Sequence, residues 1–270
     1  MASRVAPSGR AALPFAAATV LAEVAYPLVH GPVRDAVTVA TVLAFFVASG
    51  SHAALTRGGR SAAVLLVVTV GGGLLAETVG LRTGWPFGRY RYTGGLGPSL
   101  AGVPVVIPLA WAMMAWPAYL AAARLTRSWR RTRPAWLARV SRVAVAGWAL
   151  AGWDLSLDPQ MVAAGHWRWL RPDPGLPGVP GVPLSNYLGW VAVSCVLMAV
   201  LDGVVGRQGC LDRGDDAVPI GLYLWTYGSS VLAHAAFFGL PGSAAWGAVG
   251  MGLVAIPLAG SLRQPERVPA

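Results

Sequence analysis

The sequence predicts an all-α, polytopic membrane bundle of about eight transmembrane helices, and three observations carry that prediction. Of its 270 residues, 55% are hydrophobic and only 12% are charged, with a mean hydropathy of +0.56. A soluble domain of this length carries about twice that charged fraction. Apolar segments approaching the roughly 20 residues needed to cross a bilayer recur along the whole chain. The 34 glycines and 21 prolines lie inside or between those segments, unlike the glycine and proline of disordered sequences. A water-soluble globule, a disulfide-rich secreted scaffold and a disordered tail are excluded.

In chain order the spans are expected near residues 13–29, 36–55, 62–80, 103–123, 140–157, 184–205, 219–238 and 244–262, within one transmembrane domain covering 1–270. The first follows Arg4 and Arg10 as a signal peptide would. Glu23 in its middle and Pro27 near its end argue against that, because a signal h-region is uncharged. In the third span, Gly71-Gly72-Gly73 reads as a place of close helix packing. In the fifth, Pro159 disfavours helical geometry at the residue before it, so the helix is expected to end at Asp158. Cys195 in an apolar run and Cys210 in a polar loop lack metal-ligand spacing and read as structural thiols.

The net charge of +10 and pI of 10.7 do not indicate a nucleic-acid partner. Every one of the 21 basic residues is arginine, and seven fall between Arg124 and Arg142, in the loop joining the fourth and fifth spans. Cytoplasmic loops of membrane proteins carry such an excess. With the N-terminus inside, the inner segments hold 15 arginines and the outer loops hold six: Arg34, Arg82, Arg89, Arg91, Arg168 and Arg171. The expectation is a multi-pass protein of the cell membrane with both termini cytoplasmic.

Two of the outer loops resemble each other. Gly88-Arg89-Tyr90-Arg91-Tyr92 and Gly165-His166-Trp167-Arg168-Trp169 both read glycine, basic, aromatic, arginine, aromatic. Each is followed by Gly-Val-Pro, and Trp111 or Trp190 comes nine residues after that glycine. Each is preceded by an acidic residue near the outer end of a helix, Glu77 or Asp158. The pattern reads as a degenerate repeat of a helix–loop–helix hairpin in parallel orientation.

Intramembrane carboxylates cost about 2.5–3.5 kcal/mol each on insertion scales and are functional candidates by default. Glu23, Glu77, Asp154 and Asp158 qualify. Asp154 and Asp158 are four apart, which stacks them one turn apart on one helix face. Two such groups in a low dielectric cannot both ionise easily, so one is expected to be a neutral carboxylic acid. The plainer alternative has Asp158 capping backbone groups and Asp154 paired with an arginine.

Aromatic residues surround these acids in sequence: Trp85, Phe87, Tyr90, Tyr92, Trp111, Trp153, Trp167, Trp169, Tyr187 and Trp190. Interfacial belts account for part of this enrichment. Aromatic faces also stabilise cations, by up to about 2 kcal/mol each when desolvated. An acid beside an aromatic cage suits a reaction that protonates an alkene and must hold a carbocation. His166 and Asn186 are the remaining polar candidates. A metal held by His166 with the carboxylates is disfavoured, because no helical His-x-x-x-His or Glu-x-x-His pattern is present. No P-loop, Rossmann fingerprint or nucleophile elbow occurs. His30, His52 and His234 are expected to hydrogen-bond locally.

The block Glu77, Trp85-Pro86-Phe87-Gly88-Arg89-Tyr90-Arg91-Tyr92, Gly102-Val103-Pro104 and Ile107-Pro108-Leu109-Ala110-Trp111 resembles the first block of the membrane carotenoid-biosynthesis hydratases, of carotenoid 1,2-hydratase and bisanhydrobacterioruberin hydratase type. Trp153-Asp154, Asp158-Pro159, Gly165-His166-Trp167-Arg168-Trp169, Gly181-Val182-Pro183 and Asn186-Tyr187 with Gly189-Trp190 resemble the second. The resemblance covers Glu77 to Trp190 and implies water addition across the terminal double bond of an acyclic carotenoid, without a cofactor. Chemistry then assigns Asp158, Asp154, Glu77 and His166 to catalysis. It assigns Trp85, Tyr90, Tyr92, Trp111, Trp153, Trp167, Trp169, Asn186 and Trp190 to substrate binding. The expected partners are the hydrophobic carotenoid, the lipid bilayer and other membrane enzymes of the same pathway. A membrane carotenoid cyclase or prenyltransferase and a proton-coupled transporter using Glu23, Glu77 and Asp154 are the alternatives.

Overall fold

The computed structural model describes residues 7–206 and 215–263, so Arg4, Arg207, Cys210, Arg213 and Arg267 lie outside the described residues. The described chain forms eight long helices. They are α1 (Gly9–Leu28), α2 (Gly31–Arg57), α3 (Gly59–Thr83), α4 (Val106–Leu125), α5 (Ala135–Ala163), α6 (Leu184–Val205), α7 (Ala217–Ala236) and α8 (Pro241–Leu262). The expected spans map onto these one for one. Six are long and apolar enough to cross a membrane by length and composition; α5 and α7 complete the bundle. The protein is an all-α membrane helical bundle.

Helix α4 is its centre, packing against α2, α3, α5, α7 and α8. Fifteen of its 20 residues are buried, and alanine dominates them. Small residues let helix backbones approach closely where lipid supplies no hydrophobic drive. The same logic places Gly73 of α3 against the Trp111 ring, where a Cβ would lie 2.9 Å from indole carbons. Gly147 of α5 admits Cys195 of α6, so that cysteine is a packing residue, as the sequence suggested.

The expected end of the fifth helix is corrected. Helix α5 runs through Pro159 to Ala163. A proline removes the N–H that would bond the carbonyl four residues back, here that of Leu155. Ser243 of α8 donates to that carbonyl instead, at 2.8 Å. Pro117 inside α4 is accommodated in the same way, with Ser49 of α2 donating to the Met113 carbonyl at 2.7 Å. Inside a membrane bundle, neighbouring serines can re-satisfy carbonyls that a proline frees.

Successive helices alternate in direction, so the bundle has two chemically different ends. The C-termini of α2, α4, α6 and α8 meet the N-termini of α5 and α7 at one end, joined by Arg57–Asp216, Arg142–Asp202 and Arg124–Ser261 contacts. At the other end lie two short two-stranded sheets. Strand β1 (Tyr90–Tyr92) pairs with β4 (Trp167–Trp169), and β2 (Ser99–Leu100) with β3 (Val103–Pro104).

The repeat becomes tangible here. The two aromatic-Arg-aromatic segments pair antiparallel with each other, in the register Tyr90 to Trp169, Arg91 to Arg168 and Tyr92 to Trp167. Side chains alternate across a strand. Both arginines therefore face outward while Tyr90, Trp167 and Trp169 are buried and Tyr92 is partly buried. Trp111 and Trp190, equivalent in the repeat, stack with ring centroids 3.9 Å apart and planes 8° from parallel.

Candidate active site

The paired strands roof a cavity of about 670 Å³ between α2, α3, α4, α5 and α6. Tyr90, Tyr92, Trp111, Trp153, Trp167, Trp169 and Trp190 form much of its wall. Glu77, Asp158 and Asn186 supply its polar points.

Glu77 projects from the last third of α3 and is 6% exposed. Trp111 Nε1 donates to its Oε1 at 3.1 Å, Tyr92 Oη donates to Oε2 at 2.9 Å, and Tyr90 Oη donates to the same oxygen. All three donors come from the first block of the repeat. Burial and the adjacent Glu77 carboxylate push both tyrosine phenols far above their usual ionisation range, so they stay donors.

Asp154 and Asp158 lie one turn apart on the inner face of α5, both buried. The Asn186 side-chain amide, in the first turn of α6, bridges them. Its Nδ2 donates to Asp154 Oδ2 at 2.8 Å and to Asp158 Oδ2. Trp167 Nε1 donates to Asp158 Oδ1 at 3.0 Å, while Asp154 Oδ1 is buried without a partner. The pairing of Asp154 with an arginine, the plainer alternative, is replaced by an amide bridge. An amide stabilises a carboxyl group without imposing a full opposite charge, so one of the pair can carry a proton.

Three expected site residues stand outside the cavity lining: Asp154, which reaches it only through the Asn186 amide, His166 and Trp85. His166 turns away from the aspartates to Asp35, with Nε2 3.6 Å from its Oδ1 and Nδ1 3.5 Å from the Gly94 carbonyl. It braces the loop over the cavity against the start of α2. Trp85 is 71% exposed. Among the described residues no group of three or more His, Cys, Asp or Glu could hold a metal ion.

The structure also brings in residues that sequence reasoning passed over. Thr38 and Val42 of α2, Met113 of α4 and Leu157 and Met161 of α5 line the cavity. Four of them carry only an apolar signal, which every core residue shares, and Thr38 is one hydroxyl among several in its span. At the other end, His52 bonds the Asp215 carbonyl at 2.9 Å and accepts from Trp116 Nε1 at 3.0 Å, long-range partners added to the local contact with Thr56 Oγ1 at 3.4 Å.

An eight-helix membrane bundle that encloses carboxyl groups in an aromatic cavity defines the class. The chain belongs to the carotenoid biosynthesis protein family, whose model matches residues 36–258. It is similar to a bisanhydrobacterioruberin hydratase of Haloarcula japonica, with 33% identity over 138 residues. That stretch is 51% of this chain and 43% of that protein, so less than half of the relative's length is matched. No solved structure matches.

Proposed function

We propose that the protein is a cofactor-independent carotenoid hydratase, adding water across the terminal C1=C2 double bond of an acyclic carotenoid. The observation that carries this reading is a set of three buried carboxyl groups held by neutral donors, of which Glu77 and Asp158 line an aromatic-walled cavity and Asp154 lies one turn from Asp158 behind the Asn186 amide. The similarity to a hydratase supports it.

The neutral member of the aspartate pair donates its proton to C2, and the alkene's π electrons form the new C–H bond. The positive charge left at C1 is tertiary and faces Trp and Tyr rings and the newly ionised carboxylate. A water held by Glu77 and Asn186 donates an oxygen lone pair to C1. The proton it releases returns to the aspartate that began the cycle, leaving a tertiary alcohol. One water is consumed, and no electron or second group is transferred. The polyene would enter from the bilayer along lipid-facing grooves such as the apolar one between α5, α6 and α8. The arginine-rich end is proposed to face the cytoplasm of the cell that carries the protein.

Expression in a bacterial host that accumulates lycopene or another acyclic carotenoid tests the reading. The expected product is heavier than its precursor by one water, or by two if both ends react. A pigment of unchanged mass but new retention would indicate a cyclase. An unaltered precursor beside abundant folded protein would overturn the hydratase reading for that substrate class.

A further inference from the structure

A second chamber adjoins the aromatic cavity, on its α1 and α7 side. It is a partly open recess of about 700 Å³, counting the space at its mouth, and shares Thr38, Val42, Met113, Trp153, Leu157 and Met161 with the first cavity. Its remaining lining is of a different kind, for it includes Glu23, Tyr26, Gln160, Thr226, Ser229 and Ser230.

Glu23 Oε2 accepts hydrogen bonds from Trp225 Nε1 at 2.7 Å and from Ser229 Oγ at 3.4 Å. Tyr26 Oη and Thr226 Oγ1 are buried and have no hydrogen-bond partner, on residues 7% and 5% exposed. Unsatisfied buried hydroxyls are uncommon, and each calls for a partner. Two of them bordering one roomy polar space meet the conditions for ordered water, which occupies about 30 Å³ per molecule in the liquid. The neighbouring cavity has a different balance. Most phenol, indole and amide donors around Glu77, Asp154 and Asp158 are already engaged with those carboxyl groups, Tyr187 Oη and Asp154 Oδ1 being the unpaired atoms there.

We propose that the Glu23 chamber is the binding site of the second reactant, water, and delivers it to the aromatic cavity past Thr38. This rests on the hydration reading. An alkene-derived cation survives only where bulk water is kept away, yet one water must reach it. A hydroxyl-lined side chamber, parted from the cage mainly by Val42, Met113, Trp153, Leu157 and Met161, meets both needs. Thr38 is the one hydroxyl on the shared border. Its Oγ1 donates to the Arg34 carbonyl at 2.9 Å, so its lone pairs remain to accept from a passing water.

The test compares wild type with Thr226→Val and with the double variant Tyr26→Phe/Thr226→Val, purified in detergent and given an acyclic carotenoid in D2O. When water is slow to arrive, the cation loses a proton from C2 and reverts to the alkene, now carrying deuterium. The ratio of deuterated precursor to hydrated product is expected to rise about tenfold, the equivalent of one lost hydrogen bond to the arriving water. The carotenoid KM should hold, and Thr226→Ser should restore the ratio. Melting temperatures and protein yield report folding separately. A ratio unchanged in the double variant would overturn the proposal. So would a raised KM at constant ratio, which would make the chamber a polyene site. If wild type neither hydrates nor exchanges, the hydration reading itself fails, and the water site falls with it.

Discussion

Asp202, in the last turn of α6, and Asp216, at the start of α7, each face arginine. Glu77, Asp154 and Asp158, where α3 and α5 approach their ends, face indole, phenol and amide groups instead. Arg142 Nε lies 2.5 Å from Asp202 Oδ1, with Arg139 Nε 3.3 Å from the other oxygen and Tyr119 donating at 2.9 Å. Arg57 reaches Asp216 at 2.7 Å. A guanidinium is permanently charged and holds a carboxyl group through charge-assisted hydrogen bonds. Neutral donors satisfy a carboxyl group's hydrogen-bonding needs without deciding its protonation. On the proposed mechanism, the same residue type does two jobs in one bundle: helix-to-helix attachment at one end, and proton exchange at the other. The arginines make the difference, and at the second end Arg91 and Arg168, the two in the paired strands, point away from the acids on the outer face of the β1–β4 pair.

If that difference decides function, conservative removal of acidity should act at one end alone. Asp158→Asn and Asp154→Asn keep size and much of the hydrogen bonding but remove the proton donor. General acid catalysis is worth about 10²–10⁴-fold. At least one of these variants should lose hydration by a factor in that range, read as product-to-precursor ratio per unit of folded protein. Asp202→Asn should keep product formation per folded molecule near wild type. Hydrated product from both site variants at normal expression would erase the contrast.

The converse experiment probes the arginine end. Arg142→Leu leaves Asp202 buried at 2% exposure with only the half-exposed Arg139 and Tyr119. Breaking a buried ion pair typically costs about 3–5 kcal/mol, while replacing both partners by apolar groups is often nearly neutral. Arg142→Leu should therefore lower the apparent melting temperature in detergent sharply, and Arg142→Leu/Asp202→Leu should recover most of it. Equal destabilisation in the single and double variants would mean that Arg142 acts through packing of its stem rather than through charge.

Much of the site was legible because its determinants are local. The i, i+4 spacing of Asp154 and Asp158 fixes their shared face, and the alternation in both aromatic-Arg-aromatic segments fixes which rings turn inward. The repeat itself announced that Glu77 and Asp158 belong together. What was not legible depends on contacts between distant segments. Nothing in Gly165-His166-Trp167 says that the imidazole turns to Asp35, 131 positions earlier, while the indole beside it turns to Asp158. Trp85 falls outside for a similar reason. It shares the composition of its neighbours, but its ring lies beyond the inward-facing positions of β1. The second chamber was invisible because α1 and α7 meet only in three dimensions, so Glu23 stood alone in its span.

The end of α5 was also misjudged, and the cause suggests the smallest of the expected effects. A proline signal is read from its own strand of sequence, whereas the group that neutralises it, Ser243, sits 84 positions away. Ser243 keeps α5 helical through Asp158 and also contacts His234 Nδ1 at 2.8 Å; Ser49 does the equivalent service for α4. Interhelical hydrogen bonds in membrane proteins average about 0.6 kcal/mol and reach about 1.7. Ser243→Ala and Ser49→Ala should each lower stability by an amount in that range. Their chemistry should differ, because only Ser243 supports the turn that carries the aspartate pair. Ser243→Ala should reduce hydration several-fold at unchanged protein level, and Ser49→Ala should not. Adding Pro159→Ala to Ser243→Ala returns a backbone N–H to the Leu155 carbonyl, so the double variant should regain stability and activity together. A double variant that regains stability without activity would show that Ser243 serves the site by another route, with His234 the remaining partner to examine.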